Sequence, residues 1–504
     1  MNKSFYITTT LPYVNAEPHI GHALEFIQAD VVARYQRLLG KDVIFNTGTD
    51  EHGLKIYQKA QEAGMDVQKY VNGFASKFAD LKPLLNLSYT NFTRTTNRHH
   101  KLAAQEMWRR CDANGYIYKK QYQVKYCIGC ELEKTDSDLV DDVCPIHPTY
   151  QIEQIDEENY FFKFSAFQDK LLALYDKPGF IIPEHKNNEI KAFVQRGLQD
   201  FSISRLKSKM PWGIEVPTDD SHVMYVWFDA LTNYISTLGW PNATDGFSSY
   251  WPGIQVAGKD NLRQQTAIWQ AMLLAADLEP SEKIYIHGFI TSEGQKMSKS
   301  IGNVINPKDI VKQYGIDPVR YYLLGALPSY DDGDFSVERF EEFYTAHLSN
   351  GVGNLTSRIL TMVEKYCEGN IGSKNSIQLF DVKKFWSEYD ELINTFNFEK
   401  LVEHVNTLVT TCDGIISEQK PWEQAKAGKD ISGLLYQLTE TLRHIGFALL
   451  PIIPDAASKM LVMLGYDEFE LQKNEDLLEI NGVWGVLKKN KTYHKGDALF
   501  PRLT

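Results

Sequence analysis

Residues 5–46 run strand, helix, strand with almost no chain between them, and few folds accept that order. Phe5-Tyr6-Ile7-Thr8-Thr9-Thr10-Leu11 is β-branched and aromatic, and Pro12 interrupts it. Apolar residues then fall at positions 20, 24, 27, 31, 35 and 38, the three/four spacing of one helix face, and Gly40 suits the helix end. Asp42-Val43-Ile44-Phe45-Asn46 reads as the next strand. A strand, a crossover helix and a second strand imply a parallel sheet with helices on its faces.

Further helices are predicted at about 54–63, 67–84 and 98–113, with Gly64 and Gly115 ending two of them. From about residue 116 to 224 the character changes: tyrosines crowd together, cysteines cluster and short strand-like runs dominate, which reads as an insertion. Strand signals return at 222–230 and 254–258, and 283–290 reads as another buried strand, so the sheet is expected to resume there. From about 335 onward the helical spacing prevails, as at Leu348, Val352, Leu355 and Ile359. The expected units are 1–115 and 225–322 as two halves of one α/β domain, 116–224 as the insertion, 323–350 as a link and 351–504 as an all-α region. A chain of 504 residues is too long for one core and suits such a division.

Composition narrows the function classes. No stretch approaches the ~20 apolar residues of a membrane span. Met1 to Tyr13 lacks the charged start, long apolar run and cleavage site of a signal peptide, so a cytoplasmic protein is expected. A formal charge of −12 argues against binding nucleic acid through the whole surface, though a local basic groove can still do so. Three of the six cysteines, Cys127, Cys130 and Cys144, fall within 18 residues, and His147 follows. In a reducing compartment the Cys-x2-Cys and Cys-x2-His pairs suit one tetrahedral, structural Zn²⁺ rather than disulfides. Removing the metal should loosen the insertion before the α/β core.

Two segments suit phosphate chemistry. His19 and His22 sit where the first strand gives way to its helix and share one face of the first turn; Gly21 between them leaves room for a nucleotide. Lys296-Met297-Ser298-Lys299-Ser300 lies on a glycine-flanked loop, and two lysines there could close over a polyphosphate. Taken singly, the first reads equally as surface histidines at a helix start, and the second as a solvated loop.

Together, His19-Ile20-Gly21-His22 and Lys296-Met297-Ser298-Lys299-Ser300 resemble, letter for letter and in order, the two signatures of class I aminoacyl-tRNA synthetases. Thr8 to Asn15, Gly48 to Gly53 and Tyr225 to Tyr234 resemble the methionyl-tRNA synthetases among them. The resemblance implies a Rossmann-like α/β catalytic domain, a zinc-binding connective insertion and an all-α anticodon-binding domain. It implies that His19, His22, Lys296 and Lys299 are catalytic, and that Gly21, Gly258, Asp260, His287 and Lys299 bind ATP with its Mg²⁺. Leu11, Tyr13, Trp227, Ala230, Leu231 and Tyr234 would line a methionine pocket, Asp50 would pair with the α-ammonium, and Cys127, Cys130, Cys144 and His147 would hold the zinc. An aromatic pocket suits a thioether, which hydrogen-bonds hardly at all. Asn354, Arg358 and Trp422 resemble the positions that read a CAU anticodon; read alone, they are helix-packing residues. The implied partners are ATP, L-methionine and the initiator and elongator tRNA(Met).

One departure stands out. Where the family has Phe-His, this chain has Gln264-Gln265 in an otherwise intact helical context, and Gln265 is the one expected to take over a hydrogen bond to the amino acid. The family's appended C-terminal dimerising domain is not recognisable, so a monomer is expected. The readings that compete are another class I synthetase and a non-catalytic RNA-binding paralogue.

Overall fold

The computed structural model describes residues 4–130, 132–134, 136–242, 246–297, 302–371, 377–473, 478, 481–487 and 492–503. Six strands form one parallel sheet: β1 (Ser4–Thr9), β2 (Asp42–Thr49), β3 (Asn91–Arg94), β4 (Ile181–Ile182), β5 (Ile254–Gly258) and β6 (Lys283–His287), in the order β3-β2-β1-β5-β6-β4. Ile7 lies opposite Phe45 on one side and Ile254 on the other. Helix α1 (Ile20–Leu38) is the crossover from β1 to β2 and is buried along most of its length. The order runs outward from β1 in one direction and from β5 in the other. The crevice beyond the carboxyl ends of these two strands is therefore the place where a sheet of this kind binds ligands.

Two strands of the sheet were not legible beforehand. β3 is short and polar, and β4 is two residues lying within the stretch read as insertion. A third reading is corrected: the strand signal at 222–230 is a strand only at Asp219–Met224, which belongs to a separate antiparallel sheet, while Val226–Ala230 is helical. A short apolar run has no periodicity to separate the two states. Within the insertion, Ile117–Cys127 pairs along its whole length with Ile152–Phe162, and that ladder carries Cys127 to its far end opposite Ile152.

One face of the sheet packs on the helical C-terminal region and the other on the insertion side, around Trp108, Phe162, Tyr234 and Trp269. The helices used below are α2 (Ile316–Gly325), α3 (Asn354–Cys367), α4 (Phe398–Gln419) and α5 (Ser432–Leu449). α5 is buried from Leu435 to Leu449, including Glu440 and Arg443, which pair at 2.7 Å. Arg320 of α2 joins the two regions. Its guanidinium meets Asp30 of α1 at 2.8 Å and donates to the Pro451 and Ile452 carbonyls at 2.9 and 2.8 Å. Among the described residues no helix is long and apolar enough to cross a membrane.

Candidate active site

The chain leaving β1 is pinned beside the loop after β2. The Asp50 N–H donates to the Pro12 carbonyl at 2.9 Å and the Val14 N–H to the Asp50 carbonyl at 3.1 Å, which brings Leu11 and Tyr13 against Asp50. α1 then begins with a cap built from histidines. The Gly21 N–H donates to His19 Nδ1, and the His19 N–H to His22 Nδ1, both at 3.1 Å. With each Nδ1 accepting, each neutral ring carries its proton on Nε2. The rings stack at 3.8 Å. Burial, and then the neighbouring His19, push His22 well below the usual histidine pKa, so it is a neutral donor at pH 7. A Cβ at Gly21 would sit 3.0 Å from the His19 ring.

The crevice floor is ionic. Glu25 accepts from the Thr10 N–H at 2.8 Å and faces His287 Nε2 at 3.1 Å, while His287 Nδ1 faces the Gly288 carbonyl at 2.7 Å. Both partners of the His287 ring are acceptors, so it donates from both nitrogens. Burial works against its charge, but Glu25, the Gly288 carbonyl and Asp260 together outweigh that and raise its pKa. At Gly258 a Cβ would lie 2.9 Å from Asp260 Oδ1, so any larger residue there would push the Asp260 side chain aside.

Leu11, Tyr13, His19, Gly21, His22, Asp50, Trp227, Gly258, Asp260 and His287 line one cavity of about 610 Å³, a size usual for a small-molecule site. Ala230, Leu231 and Tyr234 do not line it; they are buried in the core beside it. The glutamine pair divides differently from expectation. Gln264 lines the cavity, with its Oε1 buried and accepting no hydrogen bond, whereas Gln265 turns inward and donates to Tyr234 Oη at 2.5 Å. Gln264–Ile268 is a wider π-helical turn instead of a regular helix. The buried Gln270 side chain donates to the Gln265 carbonyl at 2.9 Å, which satisfies a group such a turn frees.

At the lysine segment, Ile290–Ser292 and Gln295–Lys296 form a hairpin around Glu293 and Gly294, both with positive φ. Lys296 is placed by its backbone, and Lys299 lies outside the described residues. Met297 and Val304 both line the cavity, and the Ile305 carbonyl accepts the Ile20 N–H at 3.0 Å. Residues on both sides of positions 298–301 therefore stand at the cavity.

Cys127, Cys130, Cys144 and His147 come together with their ligand atoms all within 4.8 Å of one another. Cys130 Sγ is 3.5 Å from Cys144 Sγ and 3.2 Å from His147 Nδ1. Ligands at about 2.3 Å from a tetrahedral ion stand roughly 3.8 Å apart, so the set fits a metal. A Cβ at Gly129 would meet the His147 ring at 2.5 Å, which explains that glycine. Gly129, Cys130, Ile146 and His147 also line the cavity, so the turns that carry this cluster form part of its rim.

Comparison with known proteins assigns the chain to a family. The family model for class I (M) tRNA synthetases matches residues 5–151 and 133–360. A methionine–tRNA ligase of Caldanaerobacter subterraneus is 40% identical over all of this chain and 79% of its own length; one from a Nostoc species is 38% identical over 99% of this chain and 97% of its own. The chain belongs to the methionyl-tRNA synthetases. The Mycobacterium tuberculosis methionyl-tRNA synthetase, solved in complex with methionyl-adenylate, superposes with a TM-score of 0.92 at 35% identity, covering 99% of this chain and 100% of the other.

In the helical region of this synthetase, Asn354 is exposed at the start of α3 and Arg358 pairs with Asp413 of α4 at 2.5 Å. Trp422 is half-buried just beyond α4. Sequence reasoning missed Glu25, which a carboxylate three residues after His22 could have flagged. It also missed the pairing of Glu51 with Arg94 and the contact of Asp229 with two histidines. Their partners are distant in the chain and leave no local pattern.

Proposed function

We propose that the cavity makes methionyl-adenylate from methionine and ATP, releasing pyrophosphate, and that the chain then transfers methionine to the 3′ end of tRNA(Met). The observation that carries this reading is the convergence of the histidine cap, Asp50 and Trp227 on one cavity in a chain of this family. His19 and His22 offer neutral Nε2–H donors beside the positive end of α1, which suits phosphate oxygens. Asp50 supplies a carboxylate for the α-ammonium, and Tyr13 and Trp227 supply the apolar wall. Gly258, Asp260 and His287 surround the remaining nucleotide space, and Lys296 and Lys299 meet the pyrophosphate as charge develops on it. No covalent enzyme intermediate is needed, because positioning and charge stabilisation suffice. Mg²⁺ entering with ATP would neutralise phosphate charge.

The Cys127, Cys130, Cys144 and His147 set holds one structural Zn²⁺: four protein ligands leave no open position. Asn354, Arg358 and Trp422 read the anticodon, Trp422 by stacking on an unpaired base. The protein works as a monomer in the cytoplasm, where reduced thiolates are available for the metal. The place of Gln264 in the cavity wall, with Gln265 turned inward onto Tyr234, supports Gln264 rather than Gln265 as the glutamine that touches the amino acid.

The test is charging. Purified protein with ATP, Mg²⁺, labelled methionine and a tRNA carrying the CAU anticodon should yield acid-precipitable methionyl-tRNA, with far less from a tRNA of another anticodon. Charging with a different amino acid, or none, would refute the proposal.

A further inference from the structure

Asp229 is 1% exposed and carries two buried histidines. Its Oδ2 is 2.6 Å from His52 Nδ1 and its Oδ1 is 2.7 Å from His100 Nε2. His100 Nδ1 in turn lies 3.0 Å from Ser236 Oγ. The three residues come from three places: Asp229 from the Val226–Ala230 turn that bears Trp227, His52 from the loop that bears Asp50, and His100 from the helix Arg98–Ala113. Trp227 and Asp50 both line the cavity; Asp229 and the histidines do not.

We infer that Asp229 is a positioning residue for the amino-acid pocket, fixing the turn of Trp227 against the loop of Asp50 through His52 and His100. The inference rests on reading the cavity as a methionine site. An amino acid must meet a carboxylate with its ammonium and an aromatic wall with its side chain at once. Those groups sit on separate pieces of chain, and a displacement of about 1 Å between them costs catalysis heavily. A buried carboxylate receiving two N–H donors is a stiff joint, since losing it strands both donors without an acceptor. Burial alone would raise the Asp229 pKa, but His52 and His100 hold it down at about 2, so the joint stays charged at neutral pH. The nucleotide side is built elsewhere, on α1, β5 and β6, and none of the bonds to Asp229 reaches it.

The fold around the joint has other ties. Asn46 Nδ2 donates to Asn233 Oδ1 at 3.2 Å, and Tyr6 Oη donates to the Tyr234 carbonyl at 2.8 Å. An Asp229→Asn protein is thus expected to fold with its pocket misaligned.

The experiment is steady-state ATP–pyrophosphate exchange on the full chain, with methionine and ATP varied separately and thermal melts alongside. Asp229→Asn should raise the methionine KM about tenfold and shift the ATP KM less than about twofold. His100→Gln, whose amide can donate where Nε2 does, should stay within about threefold of wild type, whereas His100→Leu should behave like Asp229→Asn. If Asp229→Asn does not fold, the two His100 variants decide by the same ratio. A folded variant with wild-type methionine KM, or equal rises in both KM values tracking the fall in Tm, would overturn the inference. Wild-type protein with no methionine-dependent exchange would instead remove the reading on which it rests.

Discussion

At the carboxyl ends of β1 and β5, side chains from the segment after β1, from α1, from β6 and from the Val226–Ala230 turn face one cavity, and the histidine cap, Glu25 and His287 there are fixed by named partners. In the helical region Asn354 is exposed, Arg358 sits in a half-exposed ion pair with Asp413, and Trp422 is half-buried at the edge of the core. The first arrangement suits a small charged ligand that must be held rigidly while bonds change. The second suits a flexible RNA loop whose bases can move to meet the protein. Arg320, bonded to α1 on one side and to Pro451 and Ile452 on the other, ties the rigid half to the adaptable one.

That tie gives the largest expected effect. Arg320→Met takes one of two arginines from the buried Asp30, which keeps Arg34 and Ser88, and strands the Leu85, Pro451 and Ile452 carbonyls; it should lower unfolding stability by about 3–5 kcal/mol in urea titrations, and a loss below about 1 kcal/mol would show that the halves hold together without it. The pH dependence sharpens the point. Burial alone would raise the Asp30 pKa, but Arg34 and Arg320 hold it at about 2. Its contribution to stability is fully present above the ordinary carboxylate value of about 4 and disappears as pH falls through about 2. Arg320→Met should lose less stability than wild type across that window.

Within the rigid half, His22→Ala should reduce exchange by roughly two to three orders of magnitude, as loss of a preorganised donor does. A change under threefold would detach the histidine cap from phosphate chemistry. In the adaptable half, Trp422→Ala should lower kcat/KM for tRNA charging about ten- to a hundredfold, the scale of one stacked base, while exchange moves less than twofold. Equal losses in both assays would erase the contrast between the halves. The smallest effect is expected at Gln264→Phe, which replaces an amide at the cavity wall by a ring: a shift of about threefold in methionine KM, with altered ranking of methionine analogues. Gln265→Phe should act differently, by removing the bond to Tyr234.

Legibility followed the reach of the interactions. The first crossover, the histidine cap and the metal set are built from residues close in sequence, so spacing revealed them. β3 and β4 escaped because four and two residues are too short to show a period. Val226–Ala230 misled as an apolar run without periodicity. The exchange of roles between Gln264 and Gln265 was hidden by the π-helical turn, which sets side chains away from the positions a regular helix predicts and whose freed Gln265 carbonyl is met by the nearby, buried Gln270 side chain. Glu25 with His287, and Asp229 with His52 and His100, are pairings across the sheet that no local pattern records. Lys299, legible in sequence from its signature, lies outside the described residues.

The central claim is that the cavity activates methionine. ATP–pyrophosphate exchange without tRNA isolates that step, with methionine, leucine, isoleucine, valine, cysteine and homocysteine offered one at a time. Strong exchange with methionine and weak exchange with the others is the result expected here. Exchange led by another amino acid, or none from folded, metal-loaded protein, would contradict it.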